Sequence, residues 1–134
     1  MNTLKIFSIC GVVYVGDLYE PLPAKLRGRV EFLVANTPYV PTEAIKLLPQ
    51  DTRLHEPIVA LDGGIDGLDI QRRVAEKASL WLAAGGHLLV ETSEMQAHLT
   101  FEIFSQNGLI PQIRYNPEID ATIVIGTKPN PLNE

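Results

Sequence analysis

The feature that most constrains the fold is an almost uninterrupted apolar segment that ends abruptly. Val30–Ala35 has the sequence VEFLVA, and Asn36-Thr37-Pro38-Tyr39 follows at once. A continuous apolar run of this length is typical of a parallel strand buried on both faces, because helices cover both sides of such a sheet. Pro38 and Pro41 cannot continue a strand ladder, since proline lacks the backbone N–H. The sequence therefore predicts a central strand over Val30–Ala35 with a polar turn at its carboxyl end.

Strand and helix signals alternate along the rest of the chain. The predicted strands are Val12–Val15, Val30–Ala35, His87–Glu91, Leu109–Tyr115 and Ala121–Gly126, and the predicted helices are Thr42–Leu48, Asp66–Ala84 and Ser93–Gln106. This alternation predicts an α/β fold with parallel central strands. The last two strands are joined by a short connection, so we expect them to pair antiparallel.

Local signals define the ends of these elements. In the long helix one stripe is apolar, formed by Ile70, Val74, Ala78 and Trp81. Gly85-Gly86 is expected to stop this helix. Ser93 and Gln96 match a capping box at the start of the next one. Residues 49–65 have no periodicity, and they are predicted to be a long irregular stretch, which in a small domain is often functional.

The composition excludes several classes of protein. The chain has 134 residues, of which 46% are hydrophobic and 20% are charged. This fits one globular domain and excludes a disordered chain, a collagen and a coiled coil. No apolar run approaches the roughly 20 residues that a membrane-spanning helix needs. The net charge of −5 argues against a nucleic-acid binder that works by bulk electrostatics.

Cysteine and histidine usage narrows the chemistry further. The single cysteine, Cys10, excludes an intrachain disulfide and a cysteine-based zinc cluster. The three histidines lie far apart without metal-ligand spacing, so we expect no metal site. A reducing, cytoplasmic setting is the expectation for such a chain. The apolar part of the N-terminal segment is too short for a signal peptide.

The polar residues that follow the predicted strands are the site candidates, because ligands of open α/β sheets bind at the carboxyl ends of the strands. The side-chain amide of Asn36 offers an acceptor oxygen and two donor hydrogens, Pro38 stiffens the turn, and Tyr39 gives a flat wall. This set suits a planar nitrogen group whose N–H is held by acceptors. The alternative is an ordinary strand-to-helix turn, in which Asn36 bonds its own backbone and Tyr39 covers the core.

Three other places carry titratable side chains with two interpretations each. Asp17 either accepts a hydrogen bond from a ligand amine or caps the next turn, and Glu91 is either a site carboxylate or a solvated strand end. His55 and Glu56 pair an imidazole with a carboxylate, but without a nearby nucleophile they make no triad. The sequence contains no GxGxxG or GxxxxGK[ST] motif, so it lacks a self-contained nucleotide-binding fingerprint.

The turn at Asn36-Thr37-Pro38-Tyr39 resembles the Asn-Pro-Pro-Tyr motif of amino-methylating class I methyltransferases, which use S-adenosylmethionine. Neighbouring segments match as well: GDLYEPL at 16–22, RLHEP at 53–57, ALDGG at 60–64, DGLD at 66–69 and GGHLLVE at 85–91. In this order the set resembles the HemK-type protein-(glutamine-N5) methyltransferases over roughly residues 11–127. The acceptor in that family is the glutamine of the Gly-Gly-Gln loop of peptide-chain release factors.

The resemblance implies a way of holding the acceptor. Asn36 and the carbonyl oxygen of Thr37 or Pro38 would hold the glutamine amide, and Tyr39 would pack against it. Asn36, Pro38 and Tyr39 are therefore the catalytic candidates. The methyl group would pass directly from the sulfonium to the amide nitrogen, driven by positioning and electrostatics.

The resemblance also implies a cofactor side and a substrate wall. Asp17 and Leu18 would contact the adenine of S-adenosylmethionine, with Asn36 beside them. His55 and Glu56 would lie on the substrate side, within the stretch from Arg53 to Gly64. Thr37 replaces the first proline of the family's Asn-Pro-Pro-Tyr motif. Because the asparagine, the second proline and the tyrosine are kept, this departure bears on the identity of the substrate more than on the class of reaction.

The implied fold is a partial class I methyltransferase sheet, Rossmann-like, with parallel central strands and a C-terminal antiparallel pair. Residues 1–134 would be the C-terminal part of a catalytic domain and would lack the first two strands with their Gly-rich cofactor loop. The class I strand order is 3-2-1-4-5-7-6, so the Val12–Val15 strand would lose its neighbour. Because an unpaired apolar edge is an aggregation hazard, we expect this strand to pair with Val30–Ala35 or with another chain in a homodimer.

Two alternatives to an active protein methyltransferase follow from these departures. The first is a truncated, non-catalytic binding or dimerising module, because half of the cofactor site would be missing. The second is a nucleic-acid amino-methyltransferase, since such enzymes share the Asn-Pro-Pro-Tyr chemistry. The acidic net charge and the match over Arg53–Gly64 argue against the second.

Overall fold

Strands and helices alternate along the part of the chain that the computed structural model describes, which is residues 2–6, 9–39, 64 and 67–131. The strands in this part are β1 (Asn2–Ile6), β2 (Ile9–Val13), β3 (Val30–Ala35), β4 (Leu82–Thr92), β5 (Ile110–Asn116) and β6 (Ala121–Thr127). The α-helices in this part are α1 (Asp69–Trp81) and α2 (Ala97–Gln106), and Ala24–Leu26 forms a single 3₁₀ turn. None of these helices is long and apolar enough to cross a membrane.

Four strands form one mixed sheet in the order β3-β4-β6-β5. β3 and β4 pair in parallel, whereas β6 pairs antiparallel with both β4 and β5. This confirms the predicted α/β class, a parallel pair within the sheet and the C-terminal antiparallel pair; the two central strands, β4 and β6, are antiparallel. The order also equals the last four places of the class I methyltransferase order, 4-5-7-6.

The position of β3 within the sheet differs from the prediction. Within the described residues β3 is an edge strand, paired with β4 alone. Phe32 is 68% exposed and Val34 is 73% exposed, while Leu33 and Ala35 pack against the buried core. The expectation that β3 is buried on both faces is therefore wrong, because the described helices cover only one face of the sheet.

The N-terminal strand also pairs differently from the prediction. β2 forms a separate two-stranded antiparallel sheet with β1, from Asn2↔Val13 to Ile6↔Ile9. The expected pairing of Val12–Val15 with β3 is wrong, and the strand ends at Val13, with Val15 89% exposed. The physical reason is local: a preceding strand that the sequence analysis missed reaches the β2 backbone across a very short connection.

The buried core lies between one face of the sheet and the two helices. The α1 stripe is confirmed, with Val74, Ala78 and Trp81 buried and Ile70 packed at the core's margin. Gln71 is also fully buried, and its side-chain oxygen accepts a hydrogen bond from Thr100 Oγ1 of α2 at 2.7 Å. From the sheet, Leu88, Val90 and Val124 point into this core, and Phe104 of α2 closes it.

The end of α1 has another cause than the predicted glycine stop. The helix ends at Trp81, four residues before Gly85, and β4 begins at Leu82. Lys128 Nζ donates to the carbonyl oxygens of Ser79 and Leu82, at 2.8 and 2.9 Å, so it satisfies acceptors at the helix end. Gly85 lies inside β4 with a φ of 79°, and its N–H donates to the carbonyl oxygen of Lys128, the residue after β6.

The predicted C-terminal hairpin is confirmed, but the expectation from the sequence that Pro111 breaks its first strand is wrong. Pro111 lies within β5 without breaking it, because β5 is the other edge strand of the described sheet and proline is tolerated there. The predicted helix Thr42–Leu48 lies outside the described residues, as do residues 49–63 of the predicted irregular stretch.

The two faces of the sheet are expected to respond differently to truncation. Leu88→Ala should lower the free energy of unfolding by about 2–5 kcal/mol, because it leaves a cavity in the buried core. Phe32→Ala, one strand away on the open face, should change it by less than about 0.5 kcal/mol. Urea unfolding measures both, and equal losses would contradict the one-sided covering of the sheet.

Candidate functional site

Asn36 lies at the carboxyl end of β3, where two cavities meet. The first, which we call the β3–α1 cavity, has a volume of about 300 Å³. The second, which we call the open-face cavity, has a volume of about 260 Å³. Asn36 lines both cavities and is exposed, whereas the next residue, Thr37, is only 6% exposed. The predicted site residue is therefore at the junction of the two concave surfaces at this strand end.

The β3–α1 cavity has a mainly apolar lining. Its walls come from the segment after β2, from the end of β3 and from α1: Leu18, Tyr19, Leu22, residues 33–38, Ile70 and Val74. It brings the predicted cofactor residue Leu18 together with Asn36, Thr37 and Pro38. A volume near 300 Å³ lies at the lower end of small-molecule sites. Apolar walls with one amide suit a planar base, so this cavity fits the adenine part of the predicted cofactor.

Tyr19 fixes one wall of this cavity, and the sequence analysis did not single it out. Its hydroxyl donates to the Val74 carbonyl oxygen at 2.7 Å, and its ring stacks on Trp81 with centroids 5.7 Å apart. Burial raises the pKa of the Tyr19 phenol well above its usual value. The adjacent Leu18 has a φ of 49°, a left-handed conformation that costs a non-glycine residue about 1 kcal/mol and occurs at functional sites.

Asp17 lies beside the β3–α1 cavity without lining it. Its carboxylate forms an ion pair with Arg73 of α1 at 2.5 Å, and both side chains are about half exposed. This hydrogen bond, followed by the charge of Asp17, raises the pKa of the Arg73 guanidinium. The Asp17 carbonyl also accepts the N–H of Glu20 in a turn. In the structure Asp17 therefore belongs to a turn through its backbone and to an ion pair through its side chain, and its predicted contact with a ligand stays a prediction.

The open-face cavity joins Asn36 to Glu91. Its lining comes from the ends of β3 and β4 and from β6: Val34, Ala35, Asn36, Leu89, Val90, Glu91 and Ile123. Glu91, one of the ambiguous strand-end residues, thus faces the same concave surface as Asn36. Within the described residues, no group of three or more metal-ligating side chains comes together.

Tyr39 is held at the turn through its backbone. Its carbonyl oxygen accepts a hydrogen bond from Gln96 Nε2 at 3.0 Å. Gln96 is positioned in turn by Ser93, whose Oγ accepts the Gln96 backbone N–H at 3.2 Å and donates to Gln96 Oε1 at 2.6 Å. The first bond is one half of the predicted capping box, but the helix itself begins later, at Ala97. Burial, and to a lesser extent the charge of Glu91, raises the pKa of the Tyr39 phenol. The N-terminus of α2 therefore anchors the turn after β3.

Gly67 makes this anchoring possible, and sequence reasoning had no signal for it beyond a glycine in a matching segment. It has a φ of 82°, and a Cβ there would overlap the Tyr39 carbonyl oxygen and Gln96 Nε2. His55 and Glu56, the predicted substrate-wall residues, lie outside the described residues.

Gly67→Ala should lower the free energy of unfolding by about 2–4 kcal/mol, because it adds both left-handed strain and a steric overlap. Gly28→Ala is the matched control: its φ is 74°, but open space surrounds the added methyl group, so about 1 kcal/mol is expected. Denaturant unfolding of the two variants gives the difference. A similar loss in both would show that the Tyr39–Gln96 contact does not depend on Gly67.

Comparison with known proteins gives relatives of one kind. No protein-family model matches the chain. The release factor glutamine methyltransferase of Geobacter sulfurreducens is 40% identical over 96 residues, which is 72% of this chain and 33% of that protein. That of Synechocystis sp. is 34% identical over 104 residues, 78% of this chain and 34% of the relative.

A relative named for a different substrate matches as well. The ribosomal protein uL3 glutamine methyltransferase of Burkholderia pseudomallei is 42% identical over 91 residues, covering 65% of this chain and 29% of the relative. The chain thus spans about a third of the length of these proteins. Sequence motif, strand order and identity agree, and the chain is homologous to the HemK-type protein-glutamine methyltransferases.

Proposed function

We propose that this chain carries the acceptor-binding part of an S-adenosylmethionine-dependent protein-glutamine methyltransferase. In this proposal residues 1–134 correspond to the C-terminal part of the catalytic domain. The observation that carries the proposal is the position of Asn36-Thr37-Pro38-Tyr39 at the carboxyl end of β3, with Asn36 lining both cavities. The strand order and the identity to glutamine methyltransferases support it.

The residues of the turn would orient the acceptor amide. The Asn36 side-chain oxygen accepts one amide N–H, and the carbonyl oxygen of Thr37 or Pro38 is a further acceptor. The Tyr39 ring packs against the amide plane. Holding the N–H groups in the plane leaves the nitrogen lone pair perpendicular to it, which is the geometry for attack on carbon.

The cofactor, when bound, supplies a methyl group on a sulfonium. The C–N bond would form as the C–S bond breaks, with the electron pair of that bond left on sulfur and the amide proton released to water. Leu18 and Asn36 would hold the adenine in the β3–α1 cavity. The Asp17 carboxylate would join them only after leaving Arg73, its partner in the free chain.

The acceptor in this proposal is the glutamine of a peptide-chain release factor. Several relatives are named for release factors and others for ribosomal protein uL3, so uL3 is the second acceptor to test. A cytoplasmic setting follows from such acceptors and suits a chain with one exposed free cysteine, Cys10.

The direct test is transfer of a labelled methyl group from S-adenosylmethionine to a release factor with an intact Gly-Gly-Gln loop. Asn36→Ala should lower the transfer rate by about 10²–10³-fold, since it removes an acceptor that positions the nucleophile. Asn116→Ala, at the exposed end of β5, is the matched control and should leave the rate unchanged.

Parallel arms separate the alternatives. Labelling of uL3 alone would change the acceptor, and labelling of an oligonucleotide alone would replace a protein methyltransferase by a nucleic-acid one. No transfer, together with no heat of binding at millimolar S-adenosylmethionine, would leave a non-catalytic binding module and would contradict the proposal.

We also propose that the chain self-associates through its N-terminal strands. Val12 and Val13 of β2 are 47% and 43% exposed, and β2 pairs only with β1 in the described residues. Light scattering after size-exclusion chromatography should give a molar mass of about twice the 14.8 kDa of the chain. Val12→Lys should lower this mass to that of the monomer, because it places a charge on the apolar edge. A monomer at all concentrations would contradict this.

A further inference from the structure

The open face of the sheet is organised in rows that cross the four strands. The register pairs Glu91 with Ile123 and Ile123 with Arg114, so these side chains lie side by side on one face. On the β3 side, Ala35↔Val90 is the last registered pair, and Asn36 and Glu91 come directly after it. The row at the carboxyl end is therefore Asn36, Glu91, Ile123 and Arg114.

The rows behind it are mainly apolar in their central part. Val34, Leu89 and Ile125 form the next row, followed by Phe32, His87 and Thr127. Contacts confirm the shared face: the Phe32 and His87 rings lie 5.7 Å apart, and His87 Nδ1 is 2.8 Å from Thr127 Oγ1. The open-face cavity thus has an apolar floor, with an amide and a carboxylate side by side at its carboxyl-end rim.

The Glu91 carboxylate has no hydrogen bond or ion pair with any described residue. Its charge nevertheless acts on the turn that follows β3. Together with burial, which is the larger cause, its charge raises the pKa of the Tyr39 phenol. Because Glu91 also follows Val90 in the register and lines the same cavity as Asn36, both side chains can act on one ligand. An acceptor-only group at this position selects a ligand that presents N–H donors.

We propose that Glu91 is a second acceptor for the glutamine amide, and that it makes the site specific for glutamine over glutamate. This inference rests on the proposed function. One amide N–H bonds the Asn36 oxygen, and the other is shared by the carbonyl oxygen of Thr37 or Pro38 and by the Glu91 carboxylate, whose hydrogen bond is charge-assisted. A glutamate side chain in the same place has no N–H to donate, and its negative charge is repelled by Glu91.

The test compares Glu91→Gln with wild type in the methyl-transfer assay, using peptides that contain Gly-Gly-Gln as acceptor and Gly-Gly-Glu as competitor. Glu91→Gln should raise KM for the glutamine peptide by about 10-fold. It should also reduce the preference for the glutamine peptide over the glutamate peptide by at least about 10-fold. Glu91→Asp, which keeps the charge, should retain most of that preference.

Two controls separate a binding role from a structural one. The Kd of S-adenosylmethionine, from calorimetry, should stay within about twofold, and the thermal midpoint should stay within about 3 °C, as for an exposed residue. Glu102→Gln removes an exposed carboxylate from α2, which packs on the covered face, and should match wild type in all measurements.

The outcomes distinguish this inference from the proposed function. Wild type that methylates the glutamine peptide, with Glu91→Gln equally active and equally selective, overturns the role of Glu91 and leaves the proposed function standing. A wild type that neither binds nor methylates the glutamine peptide overturns both. Loss of selectivity in Glu91→Gln alone supports the inference.

Discussion

The parallel pairing of β3 with β4 is the interaction on which the rest of the site depends. It aligns the two strands so that both end at the same edge, with Ala35 opposite Val90. The residues that come next, Asn36 and Glu91, are thereby neighbours although they are far apart in sequence. An antiparallel arrangement would put one of them at the opposite edge, and the open-face cavity would lose half of its polar rim.

This pairing is held from the covered face of the sheet. Leu88 and Val90 of β4 are buried against the helices, as is Val124 of β6. The N-terminus of α2 then reaches the turn after β3 through the hydrogen bond from Gln96 to the Tyr39 carbonyl. The same helices that form the core therefore also fix the position of the site, while the open face keeps the cavity next to Asn36 accessible.

Much of this organisation could be predicted from the sequence because it depends on local patterns. The apolar run of β3, the stripe on α1 and the Ser93–Gln96 cap are periodic or short-range signals, and each led to the right element. The resemblance added the strand order and favoured a binding turn over an ordinary one at Asn36-Thr37-Pro38-Tyr39; the roles of Asn36, Pro38 and Tyr39 are proposals.

The remainder depends on contacts that no local pattern encodes. Three features depend on tertiary contacts: the pairing of β2 with β1, the exposure of Phe32, and the hydrogen bonds from Lys128 to the end of α1. Glu91 was ambiguous for the same reason: a lone strand-end carboxylate suits a solvated strand end as well as a site, and only the register places it beside Asn36. The partner of Asp17 could not be predicted either, because its ion pair with Arg73 forms only when α1 packs beside the loop that carries Asp17.

The central claim is that the rim formed by Asn36 and Glu91 receives a glutamine amide. The most direct measurement is the NMR spectrum of a Gly-Gly-Gln peptide labelled with ¹⁵N in the glutamine side chain, titrated with the full chain. We predict that both side-chain N–H protons shift downfield on binding, because each is held by an acceptor. Side-chain signals that do not move at saturating protein would contradict the account.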